Sequence, residues 1–202
     1  MARYKLNLLA LLLVGVMTSF TTQASAAPKA SAFFAGGCFW CMQPAFDKVH
    51  GVLETVVGYT GGKTIAPTYE QVGTGTTGHF EAIKVVYDPE KVTYEGLLKI
   101  FWHNIDPFDD KGQFCDKGPT YLSAIFYTNL TEEKLAEASK KKLEESFKRP
   151  VATLIIKANQ FWPAETYHQN YYTKNPIRYK FYRYNCRRDA RLLDIWGPDS
   201  KH

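Results

Sequence analysis

Apolar and polar positions alternate most clearly between Phe80 and Tyr87. Glu81, Ile83, Val85 and Tyr87 fall on one face of a strand there, and Phe80, Ala82, Lys84 and Val86 on the other. Upstream, the short apolar run Ala32–Ala35 predicts a buried strand, and Met42 to Val49 resumes apolar residues at helical spacing. Val52 to Tyr59 is rich in β-branched residues and stops at Thr60-Gly61-Gly62, a strand and its turn; the glycine- and threonine-rich chain up to Gly78 reads as loop. Thr93 is placed to cap a helix whose Tyr94, Leu97, Leu98, Phe101 and Trp102 follow the i, i+3, i+4, i+7, i+8 stripe. Residues 106–119 are turn-rich, Tyr121–Tyr127 reads as a strand, and Thr131–Phe147 as a charged amphipathic helix with Leu135, Leu143 and Phe147 inward. Val151–Ile156 is a further β-branched strand, followed by an aromatic stretch with Phe161, Trp162, Tyr167, Tyr171 and Tyr172. The order βαββαβαβ predicts an α+β two-layer sandwich with a mixed or antiparallel sheet, helices packed on it, and a long irregular C-terminal extension.

The first residues follow a different pattern. Arg3 and Lys5 precede an apolar run from Leu8 to Met17, and small residues follow at Ala24-Ser25-Ala26. This is the pattern of a secretory signal peptide cleaved after Ala26, and the apolar run is short for a membrane span. The expected mature protein is residues 27–202, a single catalytic domain exported to a space such as a bacterial periplasm, with no membrane attachment after cleavage. Without Arg3 and Lys5 the formal charge falls from +5 to +3, too mild to select a partner. Four cysteines, Cys38, Cys41, Cys115 and Cys186, are few for a disulfide-built exported domain, so catalytic or redox use gains weight.

The stretch GGCFWC, Gly36 to Cys41, carries the strongest chemical signal. Cys38 falls where the first strand turns into the first helix. Unpaired N–H groups and the helix dipole at such a position favour a thiolate. Gly36-Gly37 gives a turn without side chains, and Pro44 fits if it lies in the first turn. Glu81, on a largely apolar face, is expected to stay protonated near neutrality, the state a general acid needs. His79 would share that face if the strand reaches it; at a strand end beside a glycine, a solvated or locally bonded histidine is the duller alternative.

A CxxC has three readings: a zinc half-site, a thioredoxin-like redox pair, or one nucleophile with a neighbour. Zinc lacks a second ligand pair in this sequence. The redox pair shares the local context but leaves Glu81 and the glycine-rich loop unexplained. The tail Arg178–Arg191 carries six basic residues and one acid among four aromatics. Nucleic-acid binding is one reading, and a packed extension with solvated basic tips is the other, which is the expectation here.

GGCFWC, GYTGG at 58–62, PTYEQV at 67–72, TGHFEAIKVVYDP at 77–89 and DKGPTY at 116–121 together resemble the A-type peptide methionine sulfoxide reductases. The resemblance spans nearly the whole mature chain. It implies an α+β sandwich related to the ferredoxin-like plait, and reduction of methionine-S-sulfoxide, free or in oxidised proteins, as a repair reaction. It makes Cys38 the nucleophile and Glu81 the proton donor. It assigns Phe39 and Trp40 to the S-methyl pocket, Tyr69 and Tyr121 to the sulfoxide oxygen, and Asp116 to the substrate backbone N–H. Cys38 would become a sulfenic acid, which a second thiol converts to a disulfide. Many relatives have glycine at the position of Cys41 and resolving cysteines near the C-terminus, so the resemblance ranks Cys186 first, then Cys41, then Cys115. It further implies a thioredoxin-type reductant that resets the enzyme; a monomer without bound cofactor or metal is expected.

Overall fold

A computed structural model describes residues 28–200, and the expected signal peptide lies outside them. The chain runs through β1 (Ala30–Gly36), α1 (Phe39–Asp47), β2 (Val52–Thr60), α2 (Tyr69–Gly73), β3 (Phe80–Tyr87) and α3 (Tyr94–Trp102). A small hairpin of β4 (Gly112–Gln113) and β5 (Asp116–Lys117) follows, then β6 (Ser123–Tyr127), α4 (Leu130–Phe147), β7 (Leu154–Lys157) and β8 (Trp162–Pro163). Three helices close the chain: α5 (Tyr171–Lys174), α6 (Pro176–Asn185) and α7 (Arg188–Trp196).

Six strands form one sheet in the order β7-β6-β1-β3-β2-β8. Only β6 and β7 pair in parallel; the other neighbours are antiparallel. The expected mixed, largely antiparallel α+β sandwich is therefore found. Its main core lies between one sheet face and the helices: Phe34, Ile83, Val85 and Ile125 from the sheet meet Met42, Phe46, Leu97, Phe101 and Ala136. Stacked rings of Phe34 on Phe46 and Phe101, with centroids 5.3 and 5.1 Å apart, tie α1 and α3 to β1. The opposite face is shallower, with Ala35, Ala82, Ala124 and Phe126 under Phe161.

Gly58 is where the edge strand β8 reaches the sheet. A Cβ on Gly58 would lie 2.3 Å from the Trp162 carbonyl oxygen and 2.6 Å from the Phe161 ring, so a side chain there would push β8 off β2. Past that crossing the chain delivers Glu165, His168 and Gln169 to the site side of β2.

Several expected boundaries are corrected. Helix α1 begins at Phe39 rather than Met42, which puts Pro44 inside the helix, beyond its first turn. The loop between Gly62 and Gly78 contains α2. Its Thr68 accepts from the Gln71 N–H while the Gln71 side chain accepts from the Thr68 N–H, a capping box that T-x-x-Q already spells out. Tyr121 closes a short 3₁₀ turn before β6 rather than starting the strand. The C-terminal extension is helical, not irregular. The inward residues of α6 are tyrosine and arginine, while Ile177, Phe181 and Tyr184 face solvent, so apolar periodicity pointed to no buried face.

Candidate active site

The turn from β1 into α1 is built for close approach. Gly37 has φ +74°, and a Cβ on it would lie 2.4 Å from Gln113 Cβ. Gln113 is fully buried, accepting from the Asp106 N–H at 2.8 Å and donating to the Asp106 carbonyl at 2.7 Å, so the wall cannot easily yield. Cys38 is the N-cap residue of α1 and is only 6% exposed. The first free N–H of the helix, that of Phe39, donates to Glu81 Oε2 at 3.0 Å. The helix end that begins at Cys38 is thus joined to the Glu81 carboxyl of β3.

Glu81 is 3% exposed on the same β3 face as Ile83, Val85 and Tyr87. Burial pushes its carboxyl up to about 8; the Phe39 N–H opposes this, and the negative charge of Asp116 and Cys41 adds to it. The neutral carboxyl expected from the strand pattern is the form held near neutrality. The two sulfurs behave differently from each other. Burial pushes the Cys38 thiol well up, reinforced by Cys41 and Glu81. The neighbouring Cys38 thiol, together with Arg188 and Arg183, draws Cys41 down to about 6 against its own burial. The expectation that the helix N-terminus leaves Cys38 partly as thiolate is corrected for this closed arrangement: burial raises the Cys38 thiol and outweighs the helix end.

Aromatic groups frame the pair. Phe39 is buried beside Tyr59 and Val57. The Trp40 indole stacks on Tyr171 with centroids 3.8 Å apart, and its Nε1–H donates to His168 Nδ1 at 3.0 Å. Burial lowers His168, so the imidazole is neutral and accepts that bond. Glu165 accepts from the Tyr59 hydroxyl and from the Tyr69 N–H, both at 2.9 Å, which fixes where α2 begins. Burial and the nearby Glu81 raise the Tyr69 and Tyr121 phenols far above their ordinary range, keeping both hydroxyls as donors. Burial also raises Asp116, which accepts a short bond from the Tyr182 hydroxyl. Tyr182 sets its ring edge-on to Trp40 at 6.0 Å.

The structure thus brings Cys38, Cys41, Glu81, Phe39, Trp40, Tyr69, Asp116 and Tyr121 to one place. The family model for peptide methionine sulfoxide reductases matches residues 30–199. The chain belongs to the A-type peptide methionine sulfoxide reductases. The MsrA of Bacillus licheniformis is 53% identical over 168 residues, covering 82% of this chain and 93% of that protein. A crystal structure of reduced Mxr1 from Saccharomyces cerevisiae has a TM-score of 0.70 at 29% identity over 74% of this chain and 87% of that one. Mxr1 in complex with Trx2 shares the fold at a TM-score of 0.50 and 19% identity, over 76% and 92% of the two chains. This reductase is an oxidoreductase acting on methionine sulfoxide.

In the reductase the remaining cysteines are paired with each other. Cys115 and Cys186 form a disulfide with Cα atoms 4.8 Å apart, tying the exposed loop before Asp116 to the end of α6. Cys38 and Cys41 are free and buried. His79 is the locally bonded histidine: it accepts from the Gly62 N–H at 3.2 Å and donates to the Thr64 carbonyl at 2.8 Å. Of the tail's four aromatics, Tyr182 donates to Asp116 and Tyr179 accepts from Arg183, while Phe181 and Tyr184 face solvent. Sequence reasoning missed Glu165, His168, Tyr182 and Arg188. Each reaches the site from far along the chain and lies in no recognisable motif, and the concentration of tyrosines after residue 160 was the one available signal.

Proposed function

We propose that this reductase converts methionine-S-sulfoxide, free or in exported oxidised proteins, to methionine, and that Cys38 carries the oxygen away. The observation that carries the reading is the buried, proton-bearing Glu81 fixed by the N–H next to Cys38. The sulfur of Cys38 attacks the sulfoxide sulfur while Glu81 gives its proton to the oxygen; the hydroxyl then passes to the Cys38 sulfur as the methionine S–O bond and the transient sulfur–sulfur bond break, and the proton that Cys38 carried returns to Glu81. Methionine leaves and Cys38 is left as the sulfenic acid. Phe39 and Trp40 supply the apolar wall for the S-methyl group, the Tyr69 and Tyr121 hydroxyls donate to the oxygen, and Asp116 accepts the substrate N–H once Tyr182 has released it. Cys41 then attacks the Cys38 sulfenic sulfur: an S–S bond forms, the S–O bond breaks, and hydroxide leaves as water.

This assignment replaces the order that put Cys186 first. The backbone bond from the Cys41 N–H to the Cys38 carbonyl at 3.0 Å, which keeps the two free buried cysteines together in one turn, and the engagement of Cys186 with Cys115 support it. A thioredoxin-type dithiol resets the enzyme, a reading supported by the complex of the related Mxr1 with Trx2. The strand order β6-β1-β3-β2 with α1 and α3 on one face supports a core of the ferredoxin-like plait type. We further propose that the chain works as a monomer in the compartment to which residues 1–26 direct it.

The deciding experiment mixes reduced protein with methionine-S-sulfoxide and no reductant, beside Cys38→Ser. Near-stoichiometric methionine that vanishes in the variant supports the reading. No methionine from folded, reduced protein sinks it and leaves disulfide exchange by Cys38 and Cys41 as the activity to test.

A further inference from the structure

Arg188 is the largest fully buried side chain in the described protein, 1% exposed, yet it forms no ion pair with any carboxylate among the described residues. A guanidinium is a permanent cation, and burying one without a counter-charge is strongly unfavourable. Its Nη2 donates to the Gly36 carbonyl at 3.1 Å, to Met42 Sδ at 3.1 Å and to the Asn104 carbonyl at 2.6 Å. Its Cζ lies 4.2 Å over the Phe114 ring, and its Nε has no hydrogen-bond partner. Gly36 and Met42 flank the Cys38–Cys41 segment on both sides. The cation is therefore clamped across the turn that carries the two free sulfurs, by neutral acceptors that cannot balance its charge.

We propose that Arg188 is a positioning residue for the second step of the reaction: it holds Cys41 as the thiolate that attacks the Cys38 sulfenic acid. This deepens the function proposed above and rests on it. The other charged and titratable groups acting on Cys41 are Cys38 at the N-cap of α1, Arg183 and Tyr179 of α6, Asp116 of β5 and Glu81 of β3, with Lys48 lining the same cleft. Arg183 is already engaged with Asp189, and Asp116, which Arg188 also lowers, opposes the thiolate; Arg188 is thus the fully buried cation, bonded only to neutral acceptors on either side of the two sulfurs, and its charge favours an anion at Cys41. The electron balance needs no outside oxidant: Cys41 is oxidised as the Cys38 sulfenic acid is reduced to the shared disulfide.

The test follows the Cβ resonances of the cysteines by NMR against pH in the reduced protein with Cys115–Cys186 intact, in wild type, Arg188→Gln and Arg188→Lys. Methionine release and Cys38–Cys41 disulfide closure are timed separately after one equivalent of methionine-S-sulfoxide. The expected result is a wild-type Cys41 that ionises below the ordinary thiol range and a midpoint that rises by about one unit or more in Arg188→Gln. Closure should slow by about 10-fold relative to methionine release, with recovery in Arg188→Lys. An unchanged Cys41 midpoint and closure ratio in Arg188→Gln overturns the proposal. So does a wild-type Cys41 that titrates as an ordinary thiol, which decides the matter even if the glutamine variant does not fold. If wild type releases no methionine, the reductase reading fails, while the titration still reports on Arg188 and Cys41.

Discussion

Tyr182 donates its hydroxyl to Asp116, the carboxylate expected to hold the substrate backbone. A tyrosine from the C-terminal helix therefore occupies a hydrogen-bonding position that a bound peptide needs. Substrate must displace it, and the cost appears in affinity. Tyr182→Phe should lower KM for a methionine sulfoxide peptide by up to about 10-fold, the scale of one hydrogen bond to a charged group. Steady-state kinetics with a peptide and with free methionine sulfoxide checks this; an unchanged or raised KM for the peptide refutes it.

Glu81 carries the proton that the proposed first step consumes. Its folded-state value of about 8 lies above the ordinary 4.5, so the folded protein binds this proton more tightly than the unfolded chain does. That contribution to stability is complete below the ordinary value and is lost as pH rises through about 8. Methionine release in a single turnover should fall over the same alkaline range. Glu81→Gln should reduce that rate by roughly 10²- to 10⁴-fold and remove the limb assigned to the carboxyl. The variant should also lose less stability than wild type between neutral and alkaline pH, measured by urea unfolding at several pH values.

Cys186→Ser and Cys41→Ser separate a staple from a resolving thiol. Opening the Cys115–Cys186 link should lower stability by about 2–4 kcal/mol, because it closes a 71-residue separation. Thioredoxin-driven turnover should persist in Cys186→Ser and stall after one methionine in Cys41→Ser. The reverse pattern would return Cys186 to the role its position first suggested.

Thr68→Ala removes the cap of α2 and with it the fixed start of the segment that carries Tyr69. A loss of about 1 kcal/mol is expected by denaturant unfolding. Because Glu165 still holds the Tyr69 N–H, methionine release should fall only a few-fold; full loss of activity would mean that Glu165 does not position Tyr69.

The sheet and the helix pair on it were legible because their signals are local. Glu81 in phase with Ile83 and Val85, and Thr93 ahead of an apolar stripe, each point to one structure. The proposed reacting groups were legible because Cys38 and Glu81 lie in family blocks. The state of the sulfurs was not. Whether the proton rests on Cys38 or Cys41 depends on Arg188, Arg183 and Asp116, which reach the pair from 75 to 150 positions away in the chain. The tail misled for a related reason: a helix face of tyrosine and arginine that bonds to Asp116 and packs on Trp40 looks in sequence like a polar surface.

Gly58 touches no substrate in this reading, yet it sets the path of the chain that reaches Glu165. A methyl group at that position would lift β8, shift Glu165, and let go of the Tyr69 N–H and the Tyr59 hydroxyl together. The missing side chain thus acts as a spacer whose thickness is transmitted across the sheet edge to the groups around the sulfur. Changes at this glycine should therefore register in catalysis as well as in folding.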